Sequence, residues 1–329
     1  MSLNKLKTRN VFLETQVFRS RNYSCSGETM RKVIDLASTQ SIHIYMTDVT
    51  VGEIKAQIPR VAHAIPVVKQ LQKESDLLWN IEGLTTAFKK LSRGEMGAEM
   101  LEAFEAFCKK VRVEIIPTSV GSIDAFPLSA LDLYCTRQKI DAYIIDGDKG
   151  VREACKGHDK LFHIEKLEEF VDLVAREDAL SELATEAFAD VRGQLAGRIE
   201  EKFKDSAFYL DDVSGDVGDV TVTGIKLSEE YLIDVDQKQS TFHLFAEIEF
   251  DADVTYEKPG TGIWDNEHGR LISVDTIHKT VEGRYHDVKV SVTIALEKTD
   301  PKRSKIKEIL LNRGEDFAID ILPTDMDLK

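Results

Sequence analysis

The spacing of apolar residues differs between the two halves of the chain. Four short apolar or alternating runs predict strands in the first half, at residues 9–16, 40–47, 111–116 and 142–145. Between them, apolar residues recur at three- and four-residue steps, which is typical of helices. Strand–helix alternation over about 170 residues predicts an α/β domain with a mainly parallel sheet.

One part of this predicted domain is more helical than the rest. Residues 49–110 carry helical spacing, interrupted by Pro59, Pro66 and the pair Gly94 and Gly97. Pro and Gly are the residues that most often end regular elements. The sequence therefore predicts a helical insert with breaks at these positions.

The pattern changes again towards the C-terminus. Helical spacing continues from 166 to 204, and afterwards GDVTVTGIKL, YLIDVD, TFHLFAEIEFDADVTY and HDVKVSVTIALEK alternate apolar and polar residues. Alternation of this kind predicts an antiparallel sheet with one face in solvent. The predicted organisation is an α/β domain at 1–175, a helical linker at 176–205 and a β domain at 206–329.

Composition narrows the class of protein. Hydrophobic residues make up 42% and charged residues 31% of the chain, as in ordinary globular proteins. No apolar run approaches the roughly 18–20 residues that span a bilayer, and the first residues lack the apolar core of a secretory signal. The four cysteines show no metal-ligand spacing, which favours free thiols in a reducing compartment. We therefore expect a cytoplasmic protein that does not bind membranes.

The net charge of −15 is unevenly distributed. Residues 1–180 carry 25 Lys and Arg against 26 Asp and Glu, whereas residues 181–329 carry 18 against 32. The whole-chain charge therefore says little about what the first half binds. An acidic sheet would repel RNA, so we expect the second half to contact a protein partner or to form a homodimer.

Acidic residues follow the predicted strands of the first domain. They are Glu14, Glu53, Asp124, Asp146 and Asp148. The carboxyl ends of parallel strands share one edge of a sheet, so carboxylates distant in sequence would converge there. Such a cluster repels itself unless a divalent cation compensates the charge, and oxygen ligands suit Mg²⁺ or Mn²⁺. This arrangement predicts a metal site that could activate water for attack on a phosphodiester.

Each acid also has an ordinary structural interpretation. Glu53 could be a first-turn helix acid favoured by the helix dipole, after an N-cap at Asp48 or Thr50. Asp124 could cap the following helix, and the aspartates around Gly147 are common turn residues. Taken together, acids at four strand ends favour the metal site over these separate roles.

Four segments carry a resemblance to a known family. LETQVF, TDVTVGEI, SIDAFPLSAL and YIIDGDKGVREAC resemble the PIN-domain nucleases, most closely a divergent bacterial branch, here with a C-terminal β-rich domain. The resemblance covers residues 9–175. It implies a Rossmann-like parallel sheet, an acidic site for Mg²⁺ or Mn²⁺, and hydrolysis of single-stranded or structured RNA.

The resemblance also implies a role for each acid. Glu14 takes the place of the first family aspartate and Glu53 that of the helix glutamate. Asp124 and Asp148 match the third and fourth acids. Glu14 is one methylene longer than the usual aspartate, which displaces its oxygens.

Neighbouring residues match the same motifs less closely. Thr15 and Gln16 stand at the polar pair that follows the first acid, with Gln16 in place of asparagine. Asp146 stands where the family has Ser or Thr, as an additional metal ligand or as a charge that repels substrate. The resemblance implies that Thr15 and Gln16 contact substrate.

Basic residues near these acids could hold the phosphate backbone, which supplies most sequence-independent affinity for nucleic acids. The candidates are Arg19, Arg21, Lys89, Lys90 and Arg93. A solvated helix face explains the same residues equally well. The leading hypothesis is a metal-dependent endoribonuclease. The alternative is a binding or regulatory protein that keeps a PIN scaffold with weak or no catalysis.

Overall fold

The chain forms two compact units, Met1–Glu177 and Asp178–Lys329. The structure is a computed structural model, and it describes residues 5–61, 93–118, 127–211, 213–258, 263–265, 270–273, 275–297 and 300–321. Among the helices in these ranges, none combines the length and the apolar character that a membrane crossing requires.

The first unit is built on a five-stranded parallel sheet. Its strands are β1 (Asn10–Leu13), β2 (His43–Thr47), β3 (Glu114–Ile116), β4 (Ala142–Ile145) and β5 (Leu161–Ile164). Their order in the sheet is β3-β2-β1-β4-β5, and every neighbouring pair is parallel. The expected α/β class with a parallel sheet is confirmed.

The helices of the first unit connect these strands. They are α1 (Thr15–Arg19), α2 (Glu28–Ser38), α3 (Asp48–Val61), α4 (Arg93–Lys110), α5 (Pro127–Gln138), α6 (Lys149–Cys155) and α7 (Leu167–Ala175). Both faces of the sheet are packed. Phe12 belongs to a buried cluster with Leu131 of α5, while the ring of Tyr143 lies 5.6 Å from that of Phe170 in α7. Burial on both faces explains why the central strands β1 and β4 are nearly continuous apolar runs.

Two predicted breaks in the helical insert are wrong. Pro59 lies inside α3, where the preceding residues Ile54 and Ile58 are fully buried and hold the helix on the core. A proline removes one backbone donor and bends a helix, and tertiary packing can maintain the helix through it. Gly94 and Gly97 lie within α4 for the same reason, since that helix is anchored by buried phenylalanines further along. Pro66 lies outside the described residues.

The second unit places one long helix, α8 (Ser181–Lys204), against β-strands. The strands are β6 (Phe208–Leu210), β7 (Gly215–Val235), β8 (Gln239–Glu257), β9 (Ile263–Asp265), β10 (Arg270–Ser273), β11 (Thr276–Ala295), β12 (Lys305–Leu311) and β13 (Phe317–Ile319). The main sheet has the order β12-β11-β8-β7 and is antiparallel throughout, as the alternating pattern predicted.

The segments GDVTVTGIKL and YLIDVD form one strand rather than two. Both belong to β7, whose register against β8 shifts several times, including between Ser228 and Tyr231. Glu229, which lies within this shift, has a φ of 51°. Such bulges absorb extra residues without ending a strand, and they increase its twist. The polar interruption in the sequence therefore marks a bulge.

The core of the second unit is centred on Phe203, near the end of α8. Its ring lies 5.1 Å from that of Phe208, 5.5 Å from Phe250 and 4.9 Å from Phe317, with Tyr285 stacked on Phe250. Aromatic pairs at these distances contribute beyond the area they bury. This cluster connects α8 to β6 and β13, the first and the last strand of the unit.

This packing makes Gly283 in β11 intolerant of a side chain. A methyl group there would overlap the buried ring of Phe250, whereas the space around Gly193 on α8 is open. We expect Gly283→Ala to destabilise the second unit by about 1–3 kcal/mol through overpacking. We expect Gly193→Ala to stabilise it by about 0.5–1 kcal/mol, because alanine favours helix. Urea unfolding of both variants tests this, and equal stability would contradict the packing.

Candidate functional site

The order of the first sheet defines one position where a crevice opens. The chain passes from β1 to β2 and β3 on one side, and then returns to place β4 on the other side of β1. In open α/β sheets, ligands bind outside the carboxyl ends of the strands at this reversal. Glu14 directly follows β1 and Asp146 directly follows β4, so two of the predicted acids stand at the reversal.

Glu14 is partly buried and its carboxylate is held by a threonine pair. It precedes α1 in an extended conformation, and its Oε2 accepts a hydrogen bond from Thr50 Oγ1 at 2.9 Å. The hydroxyl oxygens of Thr50 and Thr47 are 2.8 Å apart, and the Thr50 amide donates to Thr47 Oγ1 at 3.0 Å. Thr47 therefore caps the first turn of α3, and Thr50 fixes the Glu14 side chain.

The environment of Glu14 opposes its ionisation. Burial is the main cause that raises its pKa from 4.5 to about 7, and the charges of Asp146 and Glu53 add to it. The hydrogen bond from Thr50 acts in the opposite direction. The contact of Thr15 with Glu53 and the pairing of Leu13 with Ile145 place Glu53 and Asp146 on the two sides of the Glu14 segment.

Asp146 and Asp148 form a tight turn after β4. The Asp148 amide donates to Asp146 Oδ1 at 2.6 Å, and Asp148 Oδ1 accepts from the Gly150 amide at 2.5 Å, which caps α6. Burial first, and then the charge of Asp148, raise the pKa of Asp146, whereas the hydrogen bond from the Asp148 amide and His163 lower it. Both aspartates therefore have the turn role that the structural interpretation expected, and Asp148 also caps α6.

The polar residues after Glu14 reach towards both neighbouring segments. Thr15 Oγ1 donates to Glu53 Oε2 at 2.8 Å on the first turns of α3. Gln16 faces the other side, since a Cβ added at Gly147 would lie 4.0 Å from Gln16 Cγ. Thr15 and Gln16 thus connect the acid-bearing segments at the edge of the sheet.

A complete ligand set is not formed within the ranges that the structure covers. No three His, Cys, Asp or Glu side chains there are grouped so that they could hold a metal ion. The predicted third acid, Asp124, lies outside the described residues. The described part of the edge therefore supplies neighbouring carboxylates rather than a closed metal centre.

The predicted basic contacts differ in their surroundings. Arg19 is exposed at the end of α1, and Arg93 begins α4. Lys89 and Lys90 lie outside the described residues. The side chain of Arg21 is 11% exposed, and its Nη2 lies 3.0 Å from both oxygens of Glu168. The structure therefore shows an ion pair for Arg21, and its contact with substrate stays a prediction.

Sequence reasoning did not find some of the side chains that organise this edge. The three-residue spacing of Thr47 and Thr50 at a strand–helix junction was a cap signal. Asp48 was considered only as a cap, yet its Oδ1 accepts from Thr118 Oγ1 at 2.5 Å and from the Thr118 amide at 3.0 Å. These bonds lower the pKa of Asp48 and fix the segment after β3. No local pattern indicated the partner, Thr118.

Comparisons with models of known protein families, with curated proteins and with solved structures give no match for this chain.

The buried pair of Arg21 and Glu168 gives a test of the structural assignment. Thr29 Oγ1 also donates to Glu168, at 3.0 Å, so this carboxylate is fully surrounded. We expect Arg21→Ala to lower the free energy of unfolding by about 3–5 kcal/mol, because it removes the cation that lies against the buried carboxylate of Glu168. Arg19→Ala should change it by less than about 0.5 kcal/mol. Similar stability of both variants in urea unfolding would contradict this assignment.

The raised pKa of Glu14 predicts an unusual pH dependence of the metal-free protein. Between pH 4.5 and about 7 the folded state binds the Glu14 proton more tightly than the unfolded state does. The contribution of Glu14 to the free energy of unfolding is therefore fully present below pH 4.5, and it is lost as the pH rises through 7. Its magnitude is roughly 3 kcal/mol.

Urea unfolding in EDTA, below pH 4.5 and above pH 7, measures this effect. Relative to the wild type, Glu14→Gln should be more stable at the higher pH, because it keeps the Thr50 contact without the charge. Glu102→Gln, at an exposed position of α4, serves as the matched control. An identical pH dependence in the wild type and Glu14→Gln would refute the assignment.

Proposed function

We propose that the first unit is a PIN-like, metal-dependent endoribonuclease whose reaction takes place at the β1–β4 end of the sheet. The observation that supports this most directly is the position of Glu14 and Asp146 on either side of the strand reversal, each with a raised pKa. Perturbed acids in a crevice of this kind are characteristic of catalytic sites. The parallel sheet is of the kind that the PIN resemblance implied.

The donor chemistry of this edge fits Mg²⁺ or Mn²⁺. Every predicted ligand supplies carboxylate oxygen, which these ions prefer. The carboxylates would be Glu14, Asp146 and Asp148, with Glu53 and Asp124 as the other predicted acids. A bound cation would favour the ionised form of Glu14, which the metal-free protein disfavours. The ion supplies water activation and stabilisation of the leaving oxygen.

The residues of the chain would then act by positioning. Thr50 holds the Glu14 carboxylate in one orientation, and the Asp148 amide does the same for Asp146. Thr15 orients Glu53 through its hydroxyl. No protein nucleophile is needed, because water attacks the phosphorus and the 3′ oxygen leaves, giving a 5′-phosphate and a 3′-hydroxyl.

A binding or regulatory role for the same scaffold is the second candidate. Two observations favour it: Asp148 is engaged as a helix cap, and no ligand group of three is assembled within the described residues. Such a protein would hold its acids for structural reasons and would not respond to divalent cations. The two candidates therefore differ in metal dependence.

The deciding experiment compares cleavage of a labelled single-stranded RNA in Mn²⁺, in Mg²⁺ and in EDTA. We expect cleavage only with metal, and a loss of about 100-fold or more in Asp148→Asn, since even indirect changes at metal sites cost 10–100-fold. Asparagine is as good a helix cap as aspartate, so this variant retains the fold and removes the charge. Asp132→Asn, on α5, is the control and should cleave normally.

A second measurement separates metal binding from catalysis. The Glu14 carboxylate is titrated by ¹³C NMR in saturating Mg²⁺ and in EDTA. We expect its pKa to be lower in Mg²⁺ than in EDTA. No cleavage and no metal effect on Glu14, from folded protein, would reject the nuclease and favour the binding scaffold.

A further inference from the structure

A basic cavity of about 470 Å³ lies along β5, the edge strand next to β4. Its lining includes Lys5, Lys7, Arg152, Lys156 and Phe162. Two carboxylates, Glu165 and Glu169, also line it, so the four cations leave an excess of positive charge, which indicates an anionic ligand. The ring of Phe162 adds an aromatic surface. None of these residues belongs to the acidic edge described above.

Lys7 is fixed in the lining of the cavity by two aromatic residues. Lys7 Nζ lies 4.1 Å from the centroid of the Phe162 ring, and the Lys7 amide donates to the hydroxyl of Tyr143 at 3.1 Å. The rings of Tyr143 and Phe162 are 5.7 Å apart. Lys7 is thus held at both its backbone and its ammonium group, which reduces the entropy lost when it binds a ligand.

The charges of the lining are unequally compensated. Arg152 pairs with Glu165, which also lines the cavity, and Lys156 pairs with Glu153. Within the part of the chain that the structure describes, no carboxylate forms an ion pair with Lys5 or Lys7. These two lysines therefore carry the uncompensated positive charge of the cavity, despite the nearby glutamates.

The cavity is connected to the acidic edge by His163. This residue lines the cavity, and its Nε2 lies 2.7 Å from the carbonyl oxygen of Asp146. The four residues of β5 span about 13 Å at the usual rise of a strand. An extended polyanion at the Asp146 end can therefore continue along β5 towards Lys7.

We propose that this cavity binds backbone phosphates of a single-stranded RNA whose adjoining segment lies at Glu14 and Asp146. This inference rests on the proposed function and names the path of its substrate. Grooves for single strands combine positive charge with aromatic surfaces, and the cavity has both. The phosphate is the recognised group, and Lys5 and Lys7 are the residues that bind it.

The test measures RNA binding without cleavage. Fluorescence anisotropy of a labelled single-stranded RNA is recorded in EDTA at several salt concentrations, for the wild type and for the double variant Lys5→Ala, Lys7→Ala. We expect the slope of log Kd against log salt to fall by about 1.4, since each lost phosphate contact contributes about 0.7. The matched control, Arg137→Ala with Lys139→Ala, removes two exposed cations of the same unit and should leave the slope unchanged.

Two further arms identify the source of the phosphate. If inorganic phosphate or a mononucleotide binds as tightly as RNA and is lost in the lysine variant, the site serves free phosphates and the RNA path is overturned. An unchanged slope in the lysine variant overturns the proposal as well. Lysine-dependent RNA binding supports it.

The outcome is separable from that of the nuclease proposal. RNA binding through Lys5 and Lys7 by a protein that never cleaves would retain the cavity and reject the catalytic function. Metal-dependent cleavage with an unchanged KM in the lysine variant would retain the nuclease and reject the cavity. Thermal unfolding confirms that the variants are folded.

Discussion

The pairing of β1 with β2 on one side and β4 on the other is the constraint on which the first unit depends. Val11, Phe12 and Leu13 are almost fully buried, so the chain emerges from the core directly at Glu14. Because all five strands are parallel, the segments that follow them also emerge at the same edge. The position of the acids is therefore a consequence of the strand order.

Placing carboxylates at this edge opposes folding. Burial and neighbouring charges destabilise ionised Glu14, and the hydroxyl of Thr50 offsets only part of this cost. Elsewhere in the same unit, a buried acid is paired: Glu168 is bonded by Arg21 and Thr29. The contrast between a compensated and an uncompensated carboxylate distinguishes a structural acid from a candidate functional one.

Local patterns were enough to predict four of the five parallel strands and the antiparallel sheet, because burial on one or both faces of a strand determines the spacing of its apolar residues; β5 was not among the predicted strands. The strand Ala142–Ile145 is an example, since all four of its residues are buried. The interruptions were harder to interpret. Proline disfavours the interior of a helix, yet the burial of Ile58 maintains α3 through Pro59. The polar residues around Glu229 interrupt the alternating pattern, yet pairing with β8 maintains β7 through them. The partners of Asp48 and Arg21 come from distant segments, and spacing carries no information about them.

The proposed reaction requires both signs of charge in one small region. Acids that could hold a cation repel an RNA backbone, so binding must come from neighbouring cations, and Lys5 and Lys7 provide them beside β5. The net charge of −15 does not oppose this, because the excess acidity belongs to residues 181–329. Part of that acidity is compensated within the second unit, where Arg284 pairs with Glu247 and Glu249. At physiological salt the interaction between exposed charges is screened over about 8 Å, so the charges that line the cavity have the largest effect on a phosphate bound there.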